Sequence, residues 1–147
     1  MKKIPTQAAG VIPYYMHDDG QRRFLSIQQV QGGHWAFPKG HKETNEDAIT
    51  CAIRETAEEI GIDMSLYIEK NYMISDNYQY PSWSGNGDIV QKSVVYFPCQ
   101  LPSQLEIVPQ TDEVMDYRWG TYTETLATIT KDETKNMFER FAKNFLV

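Results

Sequence analysis

Polar and apolar positions along the chain change period several times, and each change marks an element. "AAGVIPYYM" (8–16) is apolar and partly β-branched, which predicts a strand. "HDDGQ" (17–21) breaks it with a turn in which Gly20 is available for positive φ, and the two aspartates suit an exposed hairpin tip better than a metal site. "RFLSIQQV" (23–30) is a second strand. "QGGHWAFPKGHKE" (31–43) has no period and is punctuated by Gly32, Gly33, Pro38 and Gly40, so it reads as a loop. From Thr44 to Ile60 the period becomes helical: Ile49, Ala52, Ile53, Thr56 and Ile60 form one stripe. Thr44 and Asp47 fit an N-terminal capping box, and Gly61 is a natural residue to end the helix. Strand patterns follow around 68–78 and 89–99, separated by the loop "PSWSGNGD" (81–88). A shorter strand is expected at 114–120, then helices at 121–129 and 131–146. In the last helix Met137, Phe138, Phe141 and Phe145 make the apolar face. Strands interleaved with a few helices imply one α/β or α+β domain over residues 1–147.

Composition narrows the function. A chain of 147 residues has the size of one ordinary domain. Cys51 and Cys99 are read as buried small hydrophobes, not as a disulfide. "MKKIPTQAAG" is not followed by an apolar segment of the signal-peptide kind, and no run reaches membrane-spanning length, so a cytoplasmic protein is expected. The net charge of −6 argues against DNA and other long nucleic acids as partners, because phosphate backbones need a basic field. A small anionic substrate stays open, provided divalent cations stand between it and the protein's carboxylates.

The helix at 44–60 carries the candidate chemistry. Glu55 and Glu59 are one turn apart with Glu58 beside them, spanning an arc of roughly 100° next to the buried stripe. Like charges at this spacing repel by a few tenths of a kcal/mol per pair in water, on the order of the favourable pairs, and by more where water is reduced. Such a turn is either a solvated acidic face or a cation site. Hard oxygen ligands at one-turn spacing suit Mg2+ or Mn2+. The preceding Gly- and Lys-containing loop also offers backbone N–H groups to phosphates.

Gly40, then five residues, Glu46, then seven residues, then "RETAEEIGI" (54–62) resembles the Nudix box, G-x5-E-x7-R-E-U-x-E-E-x-G-U, where U is bulky and apolar. Every fixed position is present, and Thr56 stands at the first U position with much of the shape of valine. The resemblance implies an α/β/α sandwich around a mixed sheet, with the box as loop–helix–loop. It implies hydrolysis of a phosphoanhydride in a nucleoside diphosphate linked to another group, with Mg2+ or Mn2+. On the same footing Glu55, Glu58, Glu59 and the Gly40 carbonyl are metal ligands. Arg54, helped by Glu46, orients Glu55; a direct phosphate contact is the alternative role for Arg54. The general base is Glu55 or a glutamate from outside the box.

Glu113 is that outside glutamate, and a possible further metal ligand. It lies six residues before Trp119 of "YRWG", as in asymmetrical diadenosine tetraphosphate hydrolases. "HWAFPKGHKE" (34–43) and "KSVVYF" (92–97) resemble segments of the same subfamily. The resemblance makes Lys39 and Lys92 phosphate contacts, Tyr96 the residue that stacks on adenine, His41 a residue near the phosphates and Trp35 a packing residue. The aromatic, Gly-rich loop "YQYPSWSGNGD" (78–88) departs from the subfamily, and Tyr78, Tyr80 and Trp83 are its possible base contacts. The implied partner is a small nucleotide, and the expected assembly a monomer or homodimer. The leading reading is a bis(5'-nucleosyl)-tetraphosphatase. A (deoxy)nucleoside triphosphate or dihydroneopterin triphosphate pyrophosphatase is the alternative. An RNA 5'-pyrophosphohydrolase is opposed by the acidic charge, and a non-catalytic nucleotide sensor by the intact set of box carboxylates.

Overall fold

In the computed structural model, which describes residues 2–146, one long strand organises the sheet. Strand β1 (Lys3–Met16) runs parallel to a distant partner at Ile89–Gln100, in register from Lys3–Ile89 to Tyr14–Gln100. Its other edge is shared. Ala8–Gly10 pair with Lys39–His41, and Tyr14–Met16 pair with β2 (Arg22–Gln29). In chain order the remaining strands are β3 (Trp35–Ala36), β4 (Lys39–His41), β5 (Ile74–Pro81), β6 (Ile89–Gln100) and β7 (Val114–Gly120). β5 extends the sheet beyond β6, while β3 and β7 pair with β2, giving a seven-stranded mixed sheet.

Three helices complete the α/β fold: α1 (Ala48–Ile60), α2 (Tyr122–Thr128) and α3 (Asp132–Asn144). Successive side chains of a strand face opposite sides. Ala9, Val11 and Tyr15 pack with Phe97 and Cys99 beneath α1, while Ala8, Ile12 and Tyr14 pack with Val94 and Tyr96 beneath α3. Both faces of β1 are therefore covered, which explains why residues 8–16 read as a continuous apolar run instead of an alternating one. Cys51 and Cys99 are both buried and free.

Several boundaries differ from the sequence reading. β1 begins at Lys3, because the parallel partner β6 continues past the apolar run. α1 begins at Ala48, not Thr44. Asn45 has φ 65°, which no right-handed helix accepts, and Asp47 alone caps the helix by accepting from Thr50 N at 2.7 Å. β5 starts at Ile74; the residues before it hold a short 3-10 turn at Met64–Leu66 and a single bridge from Ile68 to Cys99. The loop expected at 31–43 contains β3 and β4, both too short to leave a period. The strand at 114–120 and the two C-terminal helices appear within a residue or two of expectation, α2 closed by a Thr121/Glu124 capping box.

Candidate active site

The site is assembled where β4, α1 and the segment before β7 meet. Alternation along β4 turns Gly40 toward α1 and sends Lys39 and His41 to the other face. Gly40 is required there: a Cβ would overlap the carboxyl group of Glu55. Arg54 fixes that carboxyl. Its guanidinium holds Glu46 with two bonds, Nε to Oε2 at 2.7 Å and Nη2 to Oε1 at 2.9 Å. Nη1 donates to Glu55 Oε1 at 2.9 Å, and Nη2 donates to the His41 carbonyl at 3.0 Å. One residue thus ties the loop, the helix and β4 together. The guanidinium beside Glu46 holds that carboxyl down at about 2. Planar, forked donors make this arrangement specific to arginine.

Glu59 is the buried member of the acidic turn, only 4% exposed, and its Oε1 accepts from Lys39 N at 3.0 Å. Burial pushes its carboxyl up to about 8, opposed by Lys39 and reinforced by Glu55. Burial also raises Glu55, despite the pull of Arg54. Glu113 arrives from the segment after β6. The left-handed Gly61 (φ 75°) lets that segment lie against the end of α1, where Val108 N donates to the Ile60 carbonyl and Gln110 N to the Glu59 carbonyl. The Glu113 carbonyl then accepts from Val30 N at the end of β2. Ligand oxygens of Glu55, Glu59 and Glu113 all lie within 4.8 Å of one another. Three acids this close, one of them deeply buried, fit a divalent cation: the ion supplies the positive charge that Arg54 gives to Glu55 alone. Glu58 is not in this group. It is about half exposed on the flank beside Arg54, whose Nη1 lies 3.3 Å from its Oε2.

Across a cleft of about 320 Å3 the charge reverses. Lys39 is 8% exposed and its ammonium is pushed down to about 7, first by burial and then by Lys92. Burial lowers Lys92 as well. His41 stands at the mouth, its imidazole lowered by partial burial and by both lysines. Two ammonium groups held side by side in a low-dielectric wall are arranged for an anion.

The structure corrects one expected contact. Tyr96 has no exposed surface; its ring lies in the α3-side core, edge-on to Phe37 with centroids 6.0 Å apart. A ring enclosed on all sides offers no face to a base. Tyr78 is the aromatic residue paired directly opposite Lys92 of the cleft wall, and its ring centroid lies 6.2 Å from that of Tyr80. Trp83 is highly exposed in the loop beyond β5. Trp35 is tied by its backbone to Thr130, accepting from Thr130 N and donating to Thr130 Oγ1 at 2.8 Å, which is a packing role. Gln29, Gln31 and Asp112 also line the cleft. Nothing in the spacing of the residues marks them, since the end of a strand and the residue before Glu113 carry no periodic signal.

The NUDIX domain family model matches residues 5–141. The m7GpppN-mRNA hydrolase of Saccharomyces cerevisiae is 35% identical over 78 residues, 53% of this chain and 8% of that protein, so the chain spans under a tenth of that relative's length. The asymmetrical bis(5'-nucleosyl)-tetraphosphatase of Mus musculus is 31% identical over 123 residues, covering 77% of each chain. Among solved structures, a C. elegans Ap4A hydrolase in a binary complex superposes with a TM-score of 0.78 at 25% identity, covering 94% of this chain and 96% of that one. Among the described residues, no helix is long and apolar enough to cross a membrane.

Proposed function

We propose, since the chain belongs to the NUDIX domain family through the match over residues 5–141, that it hydrolyses a phosphoanhydride bond of a dinucleoside tetraphosphate. The observation that carries this reading is the facing of two walls across one cleft: Glu55, Glu59 and Glu113 on one side, Lys39 and Lys92 on the other. The similarity to the mouse tetraphosphatase over 77% of both chains favours this substrate class.

Glu55 and Glu59, with Glu113 and the Gly40 carbonyl, would hold Mg2+ or Mn2+. When bound, such an ion supplies positive charge against the phosphate oxygens and acidifies a water. The chain's own residues do the rest. Lys39 and Lys92 take the phosphate oxygens, and an arriving phosphate favours the charged form of Lys39 that burial otherwise disfavours. Arg54 keeps Glu55 in one rotamer through its bond to Oε1, leaving the second oxygen for the cleft. Glu113 is exposed and carried on a separate segment, and we assign it as the group that accepts the proton of the attacking water. Glu58, on the flank, has a lesser role. Tyr78 takes the place first given to Tyr96, stacking on one base, so that the distance from the clamp fixes which phosphorus the water meets. Stacking of this kind is favourable by about 1–3 kcal/mol per base.

A substrate panel with Mg2+, its products separated by chromatography, tests the reading. Diadenosine tetraphosphate should give ATP and AMP, with little turnover of single nucleoside triphosphates. Release of pyrophosphate from nucleoside triphosphates, with the dinucleotide left intact, would replace it with the triphosphate pyrophosphatase reading.

A further inference from the structure

A third lysine belongs to the basic wall and sits in an unusual place. Lys131 Nζ lies 4.8 Å from the centroid of the Tyr78 ring. It is the residue immediately before α3, and its side chain makes no capping bond. Both sides of its root are fixed. Thr130 is bonded to Trp35 through its backbone N and its hydroxyl, and Thr134 donates from Oγ1 to Asp76 Oδ2 of β5 at 2.6 Å. The ammonium is within electrostatic range of Lys39, Lys92 and His34, disfavouring the charged form of each. Among the described residues none of the three lysines makes an ion pair, although the chain has more acids than bases. The like charges share one neighbourhood, and one of them lies over the ring of Tyr78, a residue at the edge of the α3-side core that is only 9% exposed.

We infer that Lys131 is a specificity-determining gate, covering the Tyr78 ring until a polyphosphate chain draws its ammonium away and frees the ring for a base. The inference rests on the reading of Tyr78 as the base clamp. An ion pair with a phosphate is stronger than a cation–π contact, so the exchange runs forward only when phosphate is present. The consequence is coupling between the two halves of the substrate. A nucleoside without phosphates meets a covered ring, and a polyphosphate prepares the ring for the nucleoside. Short phosphate chains that stop at Lys39 and Lys92 leave Lys131 in place, which selects for longer ones.

Adenosine binding with and without methylenediphosphonate, a bridged diphosphate that resists hydrolysis, reads this coupling directly. For the unaltered protein the diphosphonate should tighten adenosine at least fivefold. Lys131→Ala removes both the charge and the stem that reaches the ring. It should bind adenosine alone at least fivefold more tightly than the unaltered protein, with no further gain from the diphosphonate. Lys131→Arg should keep the coupling. Equal adenosine affinity and equal tightening in Lys131→Ala and the unaltered protein would overturn the gate. The clamp is tested separately by Tyr78→Leu. If that variant weakens adenosine while Lys131→Ala behaves as the unaltered protein does, the gate alone is wrong. If Tyr78→Leu changes nothing, the clamp is wrong and the gate falls with it.

Discussion

The proposed role of Glu59 as a cation ligand predicts that cation binding releases a proton. Its carboxyl is pushed up to about 8 by burial, against an ordinary value of 4.5. At about pH 7 such a group is roughly nine-tenths protonated, and a cation must displace that proton to use the oxygen. Apparent affinity should therefore rise about tenfold per pH unit, or about 1.4 kcal/mol, from about pH 5.5 to 7.5, and level off above about pH 9. The same proton fixes the sign of the stability change. In the metal-free protein folded Glu59 keeps a proton that the unfolded chain has already lost. Its contribution is complete below the unfolded value of 4.5 and is lost as pH rises through about 8. Lys39, pushed down to about 7 from 10.5, acts in the opposite sense only above about 7, where the unfolded chain holds the extra proton. Between 4.5 and about 7 Glu59 therefore acts together with Glu55, also raised by burial, and against His34 and His41, whose imidazoles are lowered. Calorimetric titration with Mn2+ near pH 6.5, in two buffers of different ionisation heat, counts the protons. Close to one should leave per ion in the unaltered protein and none in Glu59→Gln. No proton release, or an affinity flat between pH 6 and 8, would refute a protonated Glu59 as the ligand.

Arg54→Ala should lower kcat by more than about tenfold and lower Tm as well, because it frees both Glu46 and Glu55; Arg54→Lys should restore little, lacking the fork. Unchanged Tm with a raised KM would make Arg54 a phosphate contact instead. Glu59→Gln should reduce metal-dependent turnover more than Glu58→Gln does, since Glu58 lies outside the three-carboxylate group; the reverse ranking, with both variants folded, would move the ion to the flank. Thr56 is fully buried and its hydroxyl has no hydrogen-bond partner. Thr56→Val keeps the shape and should stabilise by about 1 kcal/mol, raising Tm by roughly 2–4 °C. A fall in Tm would show that the hydroxyl does have a partner.

The acidic turn, the apolar stripe of α1 and the strand at 114–120 could be read from the sequence because each is local: a period or a fixed spacing is its whole cause. Long-range features could not. The extension of β1 back to Lys3 depends on β6, more than eighty residues away, while "KIPTQ" has no strand-like period of its own. Tyr96 and Tyr78 show the same limit. Both turn into the same α3-side cluster, so alternation assigns them to one face without saying which of the two reaches the cleft. Lys131 left no trace, because its place over Tyr78 is set by the packing of α3 on β5. The start of α1 differs from its periodicity for a local reason: Asn45 turns left-handed, and the box glutamate Glu46 accepts from Glu43 N instead of entering the helix.

The third carboxylate of the cluster stands on a different segment from the other two. Glu55 and Glu59 are written into one helix, whereas Glu113 is delivered by a strap fastened to the end of that helix through Val108 and Gln110. Changes to the exposed residues between the last fastening and the carboxylate, Thr111 and Asp112, alter the reach of Glu113 without touching the box or the core. On the proposed mechanism, this division would let attack be redirected to another phosphorus while the proposed ligands on the helix stay in place. A residue inserted after Thr111 is the direct trial: Tm and Mn2+ binding by the helix should persist while the ratio of products shifts, and an unchanged ratio would show that the strap does not steer the reaction.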